Sequence, residues 1–436
     1  MRTPSLLLSK RFLKTPIYMA LGLVISGAAL ADQAPEETND SLPLEELRRF
    51  SEVFDRIKQA YVEPVDDKKV LEDAIRGMIA GLDPHSSYLE PDAFEELQEH
   101  TTGEFGGVGV EITQEEGFIR VISPIDDTPA EKAGVKAGDI ITRIDGESVQ
   151  SIGIDETINR MRGEAGSKIK LTIIREGVQK PLELTLTRDI IKVTSVKSRS
   201  LGNGYGYVRI TQFQSNTGAD LKKSLKKLQS ESPLTGLVLD LRNNPGGVLQ
   251  AAVEVVDAFV DGGLIVYTEG RINSSDTQFN ASKAMAVGDI PIVVLINSGS
   301  ASASEIVAGA LQDQKRAVIM GTTSFGKGSV QTVLPLSDDR ALKLTTARYF
   351  TPSGRSIQAQ GIEPDVVVEE AEIKSVKSID FPKERDLMGH LTNGDESEIS
   401  DQELTDAQQS LAERDYQLYE ALNLLKALSI VKPSPK

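Results

Sequence analysis

The sequence predicts an α/β architecture that carries a separate inserted module and helical segments at both ends. Two buried strands, residues 236–242 and 291–296, each run into a tight turn of small residues and then into a helix. Successive strand–turn–helix units of this kind are typical of a layered α/β domain. A glycine-rich stretch with alternating apolar residues, within 103–190, has the pattern of a compact module. The length of 436 residues agrees with two or three domains.

The composition is that of a soluble globular protein, with 39% hydrophobic and 26% charged residues. The formal net charge of −17 argues against nucleic-acid binding, which normally needs a basic face. The chain contains three histidines and no cysteine. A thiol nucleophile is therefore excluded, and a serine–histidine–aspartate triad would need a histidine from far along the chain.

The first 31 residues have the features of a secretory signal peptide. Four basic residues and no acidic one precede an apolar stretch from Ile17 to Leu30, and a small-x-small cleavage site precedes Asp32. The apolar stretch is short for a membrane span, which needs about 20 residues. We therefore expect a cleaved signal peptide at residues 1–31, with a retained membrane anchor as the alternative. Because no cysteine follows the cleavage site, a lipoprotein is excluded.

Residues 32–100 are predicted to form a helical region after an acidic start. Apolar residues recur at spacings of three and four in two stretches, which predicts two amphipathic helices. These residues are Leu47, Phe50, Phe54, Ile57 and Tyr61 in the first stretch, and Leu71, Ile75 and Met78 in the second. Packing within the monomer and a subunit interface both remain open for their apolar faces.

The inserted module has the order of strands and short helices expected of a small β domain. Its sequence FGGVGVEI at 105–112, followed by TPAEKAGVKAGD at 128–139, resembles the signature of a PDZ domain. The resemblance implies a PDZ domain over residues 101–190.

A PDZ domain binds the terminal carboxylate of a peptide with successive backbone N–H groups of its glycine-rich turn, and its adjoining strand pairs with the peptide. The donors here would be Gly107, Val108, Gly109 and Val110. The side-chain pocket would be lined by Val110, Ile112 and Ile158. The alternative is that these apolar residues only fill the interior of a small barrel.

The remaining core, residues 191–370, alternates strands and helices. The predicted order is strand 206–210, helix 218–229, strand 236–242, helix 248–259, strand 291–296, helix 302–314 and strand 317–320. The two tight turns that follow buried strands are residues 243–247 and 297–301.

Residues 371–436 are predicted to form a charged linker and a last helix. Leu404, Leu411, Leu418 and Leu425 recur every seven residues, with Leu422 on the same side. A heptad stripe of this length either docks on its own domain or pairs with another subunit. Self-association is the favoured alternative.

Ser302 is the leading candidate for a nucleophile. It opens a predicted helix, so it lies beside free backbone N–H groups and the positive end of the helix dipole. Ala303 can supply one N–H donor to a tetrahedral intermediate, and the Gly246-Gly247 turn can supply a second. Four other serines of the region remain alternatives: Ser298, Ser300, Ser304 and Ser324. Ser300 is also a candidate for the helix cap.

Lys327 is the candidate base for this serine. A lysine can accept the serine proton only when it is neutral, so burial must lower its pKa. Glycines flank Lys327, and Gln331 can hydrogen-bond to the lysine amine if the segment turns back. The apolar neighbours expected to bury it are Phe325, Val330 and Val333.

A competing pattern is the phosphate-binding loop GxxxxGK[ST], which residues 321–327 partly match. Gly328 occupies the position where a hydroxyl would bind magnesium, and residues 331–335 have the pattern of a strand instead of the required helix. The sequence therefore argues against nucleotide binding.

Together, these stretches resemble the carboxyl-terminal processing (tail-specific) proteases of the short bacterial type with one PDZ domain. The matching motifs are GLDPHSSYL at 81–89, FGGVGVEI at 105–112, GYVRITQF at 206–213, LDLRNNPGG at 239–247, SASASEI at 300–306, FGKGSVQ at 325–331 and ARYFTPSGRSIQ at 347–358. The resemblance covers about residues 45–370 and implies a protease core of the ClpP/crotonase-like type.

The resemblance also implies roles for individual residues. Ser302 would be the nucleophile, Lys327 the general base and Gln331 the residue that orients the lysine. The oxyanion donors would be the backbone N–H groups of the turn (Gly246 or Gly247) and of Ala303. Glu305 and Asp313 match family positions as supporting residues. No metal, nucleotide or other cofactor is implied.

The expected partners are protein substrates with free C-termini in the cell envelope, in some relatives delivered by an adaptor protein, and further copies of the chain as a homo-oligomer. The expected location is the periplasm, reached by means of the signal peptide, or the periplasmic face of the inner membrane if the anchor is retained. The rival function is a non-catalytic PDZ scaffold that binds peptide C-termini.

Overall fold

The computed structural model describes residues 42–115, 117–272, 275–283, 285–373, 388–389 and 411–431. The predicted signal peptide, its cleavage site and Leu404 lie outside the described residues. Within the described ranges, no helix is both long and apolar enough to cross a membrane. The chain divides into two compact units, residues 1–71 and 72–436.

The described part of the first unit is mainly helix α1 (Leu44–Ala60), as its apolar spacing predicts. No residue of α1 is buried, and Phe50 and Val53 on its apolar face are 47% and 54% exposed. Lys58 Nζ and the Asp67 carboxylate are 2.7 Å apart and join the end of α1 to the start of helix α2 (Asp67–Ala80).

The second unit continues with strand β1 (Ser87–Leu89) and helix α3 (Pro91–Thr102). An antiparallel two-stranded ribbon, β2 (Glu104–Gly107) and β9 (Asp189–Lys192), then forms the entry and exit of the inserted module. Because the two connections pair with each other, the module starts and ends at one place on the core.

The module contains a six-stranded antiparallel sheet in which β3-β4-β5-β7-β8 are neighbours and β6 pairs with β5. Its strands are β3 (Val110–Glu115), β4 (Phe118–Pro124), β5 (Ile140–Ile144), β6 (Glu147–Ser148), β7 (Lys168–Ile174) and β8 (Leu182–Thr187). Its helices are α4 (Pro129–Lys132), α5 (Val149–Ile152) and α6 (Ile154–Met161). Val121, Ile141 and Leu171 are fully buried in a hydrophobic core that belongs to the module alone.

The predicted protease core, residues 191–370, contains a second six-stranded sheet, with the strand order β10-β11-β12-β15-β16-β19. Only the β10–β11 pair is antiparallel. The strands are β10 (Val196–Ser200), β11 (Tyr205–Ile210), β12 (Gly236–Asp240), β15 (Ile292–Ile296), β16 (Val318–Gly321) and β19 (Val366–Val367). The helices are α7 (Thr217–Glu231), α8 (Leu249–Asp257), α9 (Ala303–Asp313) and, near the C-terminus, α10 (Tyr416–Val431).

Both faces of this sheet are covered. Alternate residues of a strand point to opposite faces, and Leu237 and Leu239 of β12 pack with the residues of α7, α8 and α9. Val238 belongs to a separate cluster that includes Leu418 and Leu425 of α10. These two leucines are only 1% and 0% exposed. The leucine stripe therefore docks on its own domain, and self-association through this face, which the heptad favoured, is not what the structure shows.

A further sheet was not predicted as such. Strands β1, β18 (Ala341–Phe350), β13 (Leu264–Gly270) and β14 (Thr277–Asn280) form it in that order, and β17 (Ser329–Pro335) pairs with β18. All its pairings are antiparallel. Strand β17 confirms the strand pattern at 331–335 and begins shortly after Lys327.

Candidate active site

Ser302 lies where the turn after the buried strand β15 meets helix α9. It is the N-cap residue of α9, with φ 56° and ψ −113°. A non-glycine residue at positive φ costs of order 1–3 kcal/mol, and such strain persists only where the surroundings hold it. The neighbouring Gly246 (φ 100°) fits closely against Ser302, because a Cβ on that glycine would lie 2.8 Å from Ser302 Cβ.

The other four serines of the region have different roles. Ser300 Oγ donates to Leu241 O at 2.8 Å, so Ser300 ties the turn to the end of β12 and is not the helix cap. Ser304 Oγ donates to Asn244 O at 2.9 Å, and Ser324 Oγ donates to Glu305 Oε1 at 2.6 Å. Ser298 is exposed and does not line the cavity that contains Ser302. Of the five candidates, only Ser302 lines that cavity.

Glu305 joins the backbone of Ser302 to that of Lys327. Its Oε2 accepts the N–H of Ser302 at 2.7 Å and the N–H of Lys327 at 2.9 Å. Its Oε1 accepts the Gly326 N–H and the Ser324 hydroxyl, each at 2.6 Å. Glu305 is fully buried. Burial raises the pKa of Glu305, and the four donors oppose this effect by stabilising the carboxylate.

Ser302 and Lys327 line the same cavity of about 350 Å³. Burial, and secondarily the charge of Lys343, lower the pKa of Lys327, whereas the carboxylates of Glu305 and Asp83 act to raise it. This is the direction that a lysine base requires. Two of the three predicted apolar neighbours, Val330 and Val333, line the cavity. The third does not bury Lys327, since Phe325 is 63% exposed.

Gln331 also lines the cavity. Its amide nitrogen donates to Ser329 Oγ at 3.0 Å and to Thr345 Oγ1 at 3.3 Å. The residue is thus held on β17 beside Lys327, and its orienting hydrogen bond to the lysine amine stays a prediction.

The turn at 243–247 has one candidate oxyanion donor. The Gly246 N–H is already used, because it donates to Asn244 Oδ1 at 2.9 Å. Phe213 N–H donates to Gly246 O, and Val248 N–H donates to Phe213 O. Neither of these bonds uses the N–H of Gly247. Within the described residues the Gly247 N–H has no hydrogen-bond acceptor, and Gly247 lines the cavity. Of the two predicted glycines, the geometry therefore favours Gly247.

Ala303 provides the second candidate donor. As the first residue of α9 its N–H has no acceptor within the helix, and Ala303 lines the same cavity as Gly247 and Ser302. Two N–H groups from different turns thus border the space next to the serine side chain, which is the arrangement of an oxyanion hole.

The structure gives a second argument against a phosphate-binding loop. Such a loop binds phosphate with free backbone N–H groups, but the N–H groups of Gly326 and Lys327 both donate to Glu305. The chain then enters strand β17 instead of a helix.

His85 and Tyr349 were not assigned to the site from sequence. Burial, then the charge of Lys327, lower the pKa of His85, so this histidine does lie near Lys327 although it is far away in sequence. The Tyr349 hydroxyl is buried close to Ser302 but, in the described part of the chain, its geometry falls short of a hydrogen bond. Burial, and then the charge of Glu305, raise the pKa of Tyr349 well above its usual value. His85 lies in the GLDPHSSYL motif and Tyr349 in ARYFTPSGRSIQ, so their motifs were the available signal.

The PDZ turn does not present all four predicted donors. Gly107 lies in β2 opposite Asp189 of β9. Odd-numbered residues of this ladder bond to the partner strand, as Val193 N–H to Gly103 O shows, so the Gly107 N–H faces β9. The donors that remain for a carboxylate are Val108, Gly109 and Val110. Val110, Ile112 and Ile158 are half-buried at the edge of the module's core. This position agrees both with a peptide-binding pocket and with side chains that only fill the barrel.

Comparison with known proteins identifies the family. Residues 204–368 match peptidase family S41, residues 106–186 match the PDZ domain and residues 17–93 match the N-terminal domain of the activating protease CtpB. A carboxy-terminal-processing protease of Bartonella bacilliformis is 48% identical over 387 residues, which cover 88% of this chain and 89% of that protein. The chain belongs to the S41 family of carboxyl-terminal processing proteases. This S41 protease is therefore a serine peptidase, and the non-catalytic scaffold is set aside.

Two further relatives are also named as C-terminal processing proteases. The carboxy-terminal processing protease CtpA of Bacillus subtilis is 35% identical over 366 residues, 84% of this chain and 77% of the relative. Among solved structures, the photosystem II D1 C-terminal processing protease is 35% identical, covers 74% of this chain and 93% of its own, and has a TM-score of 0.44. The S41 protease described here has a mixed α/β core, a PDZ insert and a helical N-terminal region.

Proposed function

We propose that this protein is a serine endopeptidase that uses a Ser302–Lys327 dyad to cleave proteins recognised through their C-terminal tails. The observation that carries the proposal is the shared cavity, in which Ser302 and a lysine with a lowered pKa lie next to two N–H groups, those of Gly247 and Ala303. In the finer classification of folds, we propose that the core is of the ClpP/crotonase-like type.

The reaction is an acyl transfer to the enzyme followed by hydrolysis. Neutral Lys327 accepts the proton of the Ser302 hydroxyl as Oγ attacks the peptide carbonyl carbon, and the oxyanion accepts hydrogen bonds from Gly247 and Ala303. The lysine ammonium then gives its proton to the leaving amine. The same lysine then takes a proton from water as the water oxygen attacks the acyl carbon, and it returns this proton to Ser302 Oγ as the bond between Oγ and the acyl group breaks. Gln331, on β17 beside the base, orients the lysine.

The PDZ module supplies the tail recognition. A substrate's terminal carboxylate binds the N–H groups of Val108, Gly109 and Val110, and its last side chains contact Ile112 and Ile158 beside β3. The paired strands β2 and β9 tether the module to the core, and we propose that the rest of the tail reaches the cavity from there.

Substitution of the dyad tests the chemistry. We expect wild-type protein to cleave a loosely folded test protein, and Ser302→Ala and Lys327→Ala each to reduce the rate by at least about 10³-fold at neutral pH. Ser298→Ala, in the same turn but outside the cavity, and Lys226→Ala, exposed on α7, are the matched controls. Full activity of Ser302→Ala would remove the nucleophile assignment, and full activity of Lys327→Ala would remove the dyad.

We further propose that the protease acts in the periplasm, where it meets envelope proteins as substrates, and that it functions as a homo-oligomer, with an adaptor protein in some cases. The motif at residues 1–31 supports export, and the exposed apolar face of α1 supports subunit contacts. N-terminal sequencing of the protein from the periplasmic fraction should begin at Asp32. An uncut N-terminus in the membrane fraction would instead favour the retained anchor.

A further inference from the structure

The active-site cavity contains a second lysine. Lys343 of β18 lines the same cavity as Ser302 and Lys327 and lies opposite Val333 of β17 and Ser87 of β1. Its side chain is half-buried. Among the described residues, no carboxylate lies within ion-pair distance of Lys343.

No carboxylate lines the cavity in the described part of the chain, although the protein as a whole is strongly acidic. The ionisable groups around Lys327 are Asp83 and His85 before β1, His100 of α3, Glu305 of α9, and Lys343 and Tyr349 of β18. Both carboxylates of this set are engaged elsewhere. Glu305 accepts four hydrogen bonds from the Ser302–Lys327 segments.

Asp83 is engaged in the same way. Its carboxylate accepts hydrogen bonds from the N–H groups of His85 and Ser86 and from the hydroxyls of Ser86 and Thr345. Neither carboxylate is therefore an ion-pair partner for either lysine. Both carboxylates still act to raise the pKa of Lys327, but the lysine that shares its cavity is Lys343.

We propose that Lys343 is a positioning residue for proteolysis: its unpaired ammonium, in the same cavity as Lys327, disfavours a proton on Lys327 and so keeps that lysine in the form that accepts the Ser302 proton. A like charge nearby destabilises the charged form of a neighbouring amine, and activation of a lysine by an adjacent cation is a known device of covalent catalysis. The inference rests on the proposed dyad.

The direction of the titration agrees with this geometry. After burial, the charge of Lys343 is the next cause that lowers the pKa of Lys327. The same charge also lowers the pKa of His85, following burial and the charge of Lys327. His85 is therefore disfavoured as a cation near neutral pH and does not replace Lys343 as the source of positive charge.

The test is the pH dependence of kcat and KM between pH 5 and 10, with a peptide substrate that has no ionisable side chain. Lys343→Met removes the charge and keeps much of the side-chain length. We expect the acid limb of kcat to move up by about one pH unit, so that the rate falls about 5- to 10-fold at neutral pH and recovers toward the wild-type value at high pH. KM should not change. Lys343→Arg keeps the positive charge, so its acid limb should lie at the same pH as that of wild type. Lys226→Met, on the exposed face of α7, is the control.

The inference is overturned if the acid limb of Lys343→Met stays in place, if its rate falls equally at all pH values, or if only KM rises, which would make Lys343 a substrate contact. Lys343→Gln provides the same measurement should the Met variant not fold. Failure of the dyad is distinguishable, because Lys327→Met would then be active at neutral pH. An inactive Lys327→Met together with an unmoved acid limb in Lys343→Met overturns only the role of Lys343.

Discussion

At the residue scale, one buried carboxylate sets the positions of the proposed nucleophile and the proposed base together. Ser302 has a positive φ that α9 alone does not require, and the bond from its N–H to Glu305 holds it there. The second bond of the same oxygen goes to the Lys327 N–H. Because both N–H groups bind the same oxygen, a displacement of Ser302 also displaces Lys327. We therefore expect Glu305 to affect the reaction only by positioning these two residues.

Glu305→Gln tests this connection. The new amide places N–H donors against two groups that themselves donate, so at least two buried donors lose their acceptor. We expect the protein to be destabilised by about 1–3 kcal/mol and kcat to fall about 10²-fold, because small displacements of reacting groups are costly. Thermal unfolding and initial rates measure the two effects. Glu231→Gln, exposed at the end of α7, is the control, and wild-type kcat in Glu305→Gln would contradict the assigned role.

At the element scale, the turn that precedes β1 fastens this short strand to β18. Asp83 caps the turn through the N–H groups of His85 and Ser86, and it accepts the Thr345 hydroxyl of β18 at 3.1 Å. Hydrogen bonding, first of all by the Ser86 side chain, lowers the pKa of Asp83 from 3.8 to about 2. The turn therefore places His85 near Lys327 by means of an ionised carboxylate.

This shift predicts a pH dependence of stability. Because the pKa of Asp83 is lower in the folded state, its contribution is present above about pH 4 and is lost as the pH falls toward 2. Asp83→Asn should therefore have a lower Tm than wild type at pH 6, and the difference should shrink between pH 4 and pH 2. Asp261→Asn, exposed in a loop, should show no such trend. A difference in Tm that is equal at pH 6 and pH 2 would rule out the proposed source.

At the scale of the whole molecule, the residues that begin α10 are bound to the strand that leads into the turn at 243–247. Arg242, which follows β12, donates all five guanidinium N–H groups. The acceptors are Asp240 Oδ1 and Oδ2 at 3.0 and 2.7 Å, Asp415 Oδ1 and Oδ2 at 2.8 and 2.7 Å, and Gln417 Oε1 at 3.0 Å. Asp415 also begins α10 by accepting the Leu418 N–H at 3.0 Å. Helix α10 thus covers the sheet through apolar contacts and is anchored by one buried ionic cluster.

Removal of Asp415 should loosen this anchor. Asp415→Ala leaves two N–H groups of a buried guanidinium without acceptors, and we expect a loss of about 1–3 kcal/mol in stability. Asp415→Asn keeps an acceptor for the Leu418 N–H and should lose less. Thermal unfolding and proteolysis of the α10 segment provide the measurements. Arg414→Ala, an exposed neighbour, is the control. Equal Tm values for wild type and Asp415→Ala would show that the cluster contributes no net stability.

Features that depend on neighbours along the chain could be predicted from the amino-acid sequence. Apolar periodicity predicted β12, β15 and α9, glycine spacing predicted the PDZ turn, and the position of Ser302 at a helix start predicted free N–H groups nearby. Which groups remain available for a substrate depends on the hydrogen bonds made in the folded protein, and only the three-dimensional structure shows these. It favoured Gly247 over Gly246, assigned Ser300, Ser304 and Ser324 to structural hydrogen bonds and docked α10 on its own sheet. It also brought Lys343 and His85 close to Lys327. A backbone donor or a side-chain charge can act on a substrate only if no other group in the protein satisfies it, and most of the groups that do so here come from segments far away in the sequence.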